Sequence, residues 1–136
     1  MEVADEQRRV LAVLYEMLDA QELGNVGRVL DTLSDRPEAA HMATDGMRWE
    51  TSWEAAQAVT AVPGDGLRLV ADHFEVHIQG GVAWAAGLGR IINQSGAERT
   101  VRMSLVLVRE HGQWVIVQSH ASLPVQDAEI FTLSTG

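Results

Sequence analysis

Glu98-Arg99-Thr100-Val101-Arg102-Met103-Ser104-Leu105-Val106-Leu107-Val108-Arg109-Glu110, then His111-Gly112, then Gln113-Trp114-Val115-Ile116-Val117-Gln118-Ser119-His120-Ala121-Ser122-Leu123, is the stretch whose reading decides the fold. Two runs rich in Val, Ile and Leu flank a two-residue turn, the pattern of a β-hairpin. Counting outward from the turn sets Glu110 opposite Gln113 and Arg109 opposite Trp114. One face then carries Leu107/Ile116, Leu105/Gln118, Met103/His120 and Val101/Ser122. The other carries Val108/Val115, Val106/Val117, Ser104/Ser119 and Arg102/Ala121. Both faces are largely apolar, so each needs a cover. Helices and a cavity are expected on one side, and a second subunit of a homodimer on the outer face.

Moving toward the N-terminus, Leu67 to Gln79 reads as a strand, Gly80-Gly81 as a tight turn and Val82 to Asn93 as a second strand. Gln94-Ser95-Gly96-Ala97 then turns into the hairpin. Before these strands the pattern is helical. Residues 4–21 carry Val10/Leu11, Leu14, Met17/Leu18 and Gln21 at three-to-four spacing, and residues 24–33 carry Val26, Val29, Leu30 and Leu33. Asp35-Arg36-Pro37 ends the second helix. Ala39 to Thr44 is a short strand. Thr51-x-x-Glu54 has the capping-box form and opens a third helix through about Val62, with Pro63-Gly64 as its stop. Three helices followed by an antiparallel meander predict an α+β fold, with a strongly curved sheet wrapped around the helices.

The bulk properties agree with one domain spanning 1–136, with a tail over 124–136. The length of 136 residues is enough to bury a core, and 46% hydrophobic with 21% charged residues is a globular composition. Cysteine is absent, which removes disulfides, thiolate metal sites and thiol nucleophiles. All ten basic residues are arginine, so lysine Schiff-base chemistry is excluded. Those arginines are scattered through a chain of net charge −9, which argues against nucleic acid as a partner. No apolar run is long enough for a membrane span. The acidic start, Met1-Glu2-Val3-Ala4-Asp5-Glu6, is unlike a signal peptide, and the expected location is cytoplasmic. The arginine-only, alanine-rich usage fits a GC-rich bacterial genome.

Several segments together resemble a SnoaL-like domain of the nuclear-transport-factor-2-like (cystatin-like cone) superfamily. Leu18-Asp19-Ala20-Gln21-Glu22-Leu23 resembles that family's first-helix exit, and His41-x-x-Thr44-Asp45-x-x-x-Trp49 its strand and loop at the cone mouth. Thr51-Ser52-Trp53-Glu54-Ala55-Ala56 is similar to its Gly-Arg-Glu-Ala-Ile helix start, with Ser52 in place of the glycine. Gly112 to Ser122 resembles its closing strand. The resemblance implies a cone-shaped pocket between helices and sheet, and commonly a dimer. It spans isomerases, polyketide cyclases, dehydratases and non-catalytic modules, so it does not select a reaction. Where ketosteroid isomerases carry an acid and a tyrosine, the family register places Ser104 and Leu14, with Tyr15 one residue away. No inward aspartate of the polyketide-cyclase kind stands on the last three strands. The same register favours Arg102, Ser104 and Ser119 on the cavity face.

Candidate chemistry centres on His41–Trp49. Asp45, near Trp49, Trp53 and Met47, is the candidate general base, because partial desolvation raises a carboxylate into a useful range; Asp45-Gly46 is equally a turn signal. Four residues of extended chain separate His41 from Asp45 by about 13 Å, so the two form no dyad unless the chain folds back. His41 and His120 are candidate hydrogen-bonding or proton-shuttling groups, and each also fits a buried structural histidine. Tyr15, Trp49 and Trp53 are candidate walls for an apolar, cyclic metabolite. Trp84 reads as core. Arg102 could hold a carboxylate, with Ser104 and Ser119 beside it. His73 and His77 lie on one face of a strand about 13 Å apart, too far to share an ion, so no metal site is expected. Gly87-x-Gly89 has no following helix and reads as a strand bend rather than a dinucleotide fingerprint. The expected activity is cofactor-independent acid–base chemistry on an apolar oxygenated metabolite: isomerisation, cyclisation or dehydration. The alternative is a non-catalytic ligand-binding or dimerisation module.

Overall fold

A computed structural model describes residues 3–44, 49–58 and 68–132. In chain order these form α1 (Val3–Glu22), α2 (Val26–Thr32), β1 (Ala40–Met42), α3 (Ser52–Ala58), β2 (Arg68–Gln79), β3 (Val82–Ile92), β4 (Glu98–Glu110) and β5 (Gln113–Ser122). A 3-10 turn at Asp127–Glu129 lies in the tail. The fold is α+β as expected. The Pro63-Gly64 stop and the expected last turn of the third helix lie outside the described residues.

Local chemistry explains where the helices begin and end. Gly24 takes a left-handed conformation (φ 68°) after α1. The Asn25 N–H reaches the Ala20 carbonyl at 2.9 Å and the Gly24 N–H the Gln21 carbonyl at 3.1 Å, the paired bonds of a Schellman ending. Asn25 then caps α2, its side chain accepting from the Arg28 N–H at 3.2 Å. The capping box of α3 is reciprocal: Glu54 N–H donates to Thr51 Oγ1 at 3.2 Å, and Thr51 N–H to Glu54 Oε1 at 2.9 Å.

The five strands form one sheet in the order β1-β5-β4-β3-β2, with β1 parallel to β5 and all other pairs antiparallel. Neighbouring residues of α1 show how strongly this sheet curls. Glu6 accepts a hydrogen bond from Trp114 Nε1 of β5 at 2.8 Å, and Gln7 donates to the Val76 carbonyl of β2 at 3.0 Å. β5 and β2 are three strand spacings apart, about 14 Å on a flat sheet, so one helix touches both only because the sheet wraps around it. Val10 and Leu14 of α1, fully buried, pack in one core with Leu107, Trp114 and Ile116. Glycine admits the closest strand approach: a Cβ on Gly89 would overlap the Val70 carbonyl oxygen, beside a bulge in β2 that leaves Asp72 unpaired.

The hairpin register follows the turn only part of the way. His111 (φ 55°) and Gly112 (φ 78°) form the two-residue turn, and Glu110/Gln113, Arg109/Trp114, Val108/Val115 and Leu107/Ile116 pair as read from the sequence. A bulge then inserts Val117, after which Val106 faces Gln118, Leu105 faces Ser119, Ser104 faces His120 and Met103 faces Ala121. Because side chains alternate along a strand, one extra residue exchanges the faces of everything beyond it.

Candidate functional site

Between the helices and the concave face lies a cavity of about 300 Å³. Its walls are mostly apolar, with Met17 and Leu18 from α1, Val29 from α2 and Val101, Met103 and Leu105 from β4. That volume is at the small end of the range for ligand pockets.

The bulge decides which polar groups reach it. Ser119 lines the cavity, next to Ala121, whereas Arg102 and Ser104 are exposed on the outer face. The expected grouping of Arg102, Ser104 and Ser119 is thereby corrected: Val117 breaks the alternation that would have kept them together. His120 is exposed and paired opposite Ser104, and is also among the residues that line the cavity. Four aromatic assignments also change. Trp49 and Trp53 are 73% and 62% exposed and do not line the cavity. Tyr15 packs edge-to-face on Phe74 of β2, with ring centroids 5.7 Å apart, instead of facing a ligand. Trp84 is half-exposed on the outer face, stacked on His77 at 5.8 Å, not in the core. Asp45 lies outside the described residues.

His41 is the centre of the polar end. It is buried, its backbone exchanging two hydrogen bonds with Glu50 at 2.8 and 2.9 Å. Its ring is held on both sides: Nδ1 is 2.8 Å from Ser119 Oγ and Nε2 is 2.9 Å from Ser52 Oγ. Burial holds its pKa below the ordinary imidazole value, against a smaller upward pull from the Glu50 charge. The ring is therefore neutral at pH 7, with one nitrogen donating and one accepting. Each hydroxyl can play either part, so Ser52–His41–Ser119 is a proton chain that ends on a cavity-lining oxygen. When Nδ1–H donates to Ser119, the serine proton is free for a ligand oxygen. In the other tautomer Ser119 donates to Nδ1 and accepts from the ligand.

Ser52, Glu50 and Arg68 escaped the sequence reading. Ser52 had a local signal, since the capping box places it at the first helical position, but nothing local aims it at His41. Arg68 lines the cavity, and its Nε donates to Glu22 Oε1 at 2.7 Å. Its place at the start of β2, the edge opposite β1, became meaningful only when the sheet curled.

The family model described as a SnoaL-like domain matches residues 10–126. The chain belongs to the SnoaL-like domain family. Solved structures agree on the fold. An NTF2-like protein of unknown function from Pseudomonas putida superposes with a TM-score of 0.78 at 13% identity, covering 93% of this chain and 92% of that one. A protein named as a candidate dehydratase of the NTF2-like family, from Streptomyces avermitilis, gives 0.78 at 13% identity, over 92% of this chain and all of that one. A candidate calcium/calmodulin-dependent protein kinase II association domain from Xanthomonas campestris gives 0.73 at 20% identity, over 88% of each chain. Among curated proteins, none matches the sequence. No helix among the described residues of this SnoaL-like domain is long and apolar enough to cross a membrane.

Proposed function

We propose that this SnoaL-like domain binds a small, mostly apolar, oxygenated metabolite in its cavity and carries out acid–base chemistry on it: isomerisation, cyclisation or dehydration. The observation that carries this reading is the neutral His41, held between Ser52 and Ser119 at one polar end of a mostly apolar cavity. A neutral imidazole is poised to accept a proton, and Ser119 extends its reach to the ligand. In each of the three reactions a proton leaves an acidic carbon or hydroxyl and a proton is returned to an oxygen or carbon, which one relay group can serve in turn. Asp45, next in the chain to the cavity-lining Thr44, is retained as a second candidate base. The candidate-dehydratase neighbour is compatible with this chemistry.

A second reading has its own support. Both His41 nitrogens are already bonded, as in a structural histidine, and Trp84 and Leu88 stand exposed on the outer face. A non-catalytic ligand-binding module that dimerises through that face accounts for these features, and one structural neighbour is named as an association domain.

Native mass spectrometry of the purified protein, followed by turnover assays on whatever small molecule is retained, separates the two. The acid–base reading expects conversion of that molecule, with His41→Gln or Asp45→Asn reducing turnover by ~100-fold or more while binding persists. A retained ligand that is never converted gives the second reading.

A further inference from the structure

We infer that the cavity takes a two-headed ligand: an apolar middle, a neutral oxygen at Ser119, and a carboxylate captured by Arg68 at the opposite edge of the sheet. This rests on the reading of the cavity as a small-molecule site and names the class of molecule that fits it.

The first argument is placement. Ser119 and His41 stand on β5 and β1, and Arg68 opens β2, the other edge strand. Both ends line the same cavity, and Leu69, Ile91, Val101 and Met103 lie among the apolar side chains between them. A ligand spanning the cavity meets hydrogen-bonding groups at two ends and hydrocarbon in the middle. The second argument is the state of the guanidinium. Glu22 occupies only Nε, and the terminal amino groups make no hydrogen bond among the described residues. Those groups form the fork that receives a carboxylate with two parallel bonds. Glu22 takes neither terminal amino group of the fork and orients it.

The third argument is charge. Glu22 ends α1, whose last turn contains no basic residue, a place where the helix dipole disfavours a carboxylate. Arg68 is what compensates it there. At the far end Glu50 lines the cavity beside His41. Glu22 lines the cavity at the arginine end too, so a ligand carboxylate is drawn there by the donors of the guanidinium and against a neighbouring negative charge, not by a difference in net charge between the ends. Arg68 thus takes the role that the sequence had offered to Arg102.

The test uses 6-hydroxy-2-naphthoate and its methyl ester as probes, with isothermal titration calorimetry on the full chain. The acid is expected to bind ~10-fold tighter than the ester or better, and Arg68→Met to remove that preference while leaving ester affinity within ~2-fold. Glu22→Gln should tighten the acid by about threefold through loss of a neighbouring negative charge. Ser119→Ala should weaken acid and ester alike. Arg68 is half-exposed, and thermal melting checks that the variant stays folded. An acid that binds no better than its ester, a preference that survives Arg68→Met, or no binding of either probe at millimolar concentration would overturn the inference. A preference lost with Arg68→Met but binding untouched by Ser119→Ala would uphold Arg68 and remove Ser119 from the proposed function.

Discussion

The concave face of the sheet has a solid end and a hollow end. Near the β4–β5 turn, Leu107, Ile116 and Trp114 fill the interior against Val10 and Leu14, and none is more than 5% exposed. A few residues farther along the same strands, Met103 and Leu105 pair with Ala121 and Ser119, and all four line the cavity. The difference has two causes. Inward side chains on β5 shrink from Trp and Ile to Ser and Ala, and the Val117 bulge selects those small residues over Gln118 and His120. A single inserted residue thus converts a core wall into a pocket wall with one hydroxyl on it.

The largest test of this contrast is truncation at each end. Trp114→Ala removes a buried ring and leaves the Glu6 carboxylate without its indole donor, so ~3–5 kcal/mol of stability should be lost in urea unfolding. Met103→Ala, beside space that is already empty, should cost about 2 kcal/mol or less. Equal losses would mean that the hollow end is packed as tightly as the solid one. Filling the cavity should have a smaller effect on stability and a specific effect on binding. Ala121→Leu is expected to change stability by less than ~1 kcal/mol while reducing the affinity of any cavity ligand by ~10-fold or more. A variant that binds normally would show that the ligand sits elsewhere.

The smallest effect is the pH dependence of the polar end. His41 has a folded-state pKa below the ordinary 6.5 because burial disfavours its charged form. The unfolded chain therefore binds a proton more readily than the native one as acidity rises. The contribution of neutral His41 is complete above pH 6.5 and declines as pH falls from there toward the lower native value. Denaturation midpoints should drop over this window in the parent, and His41→Gln should flatten that drop. An unchanged slope would locate the acid sensitivity in other groups.

Much of this molecule was determined by the sequence on its own. The helices and strands in order, the α3 capping box and the pairing near His111-Gly112 all follow from periodicity, caps and turn geometry, which act over a few residues. The α+β plan and the SnoaL-like family follow from the same local signals read together. Tertiary structure alone decided which face became the cavity, because a bulge depends on how two long strands share a curved surface and has no signal of its own in Val115-Ile116-Val117. It also decided the site. His41 meets Ser119 across 78 residues and Ser52 across 11, and Arg68 meets Glu22 across 46. Contacts at such separations arise when the sheet closes around α1, so a residue type and its neighbours in sequence could nominate His41 and Ser119 but not join them, and could not exchange Arg102 for Arg68.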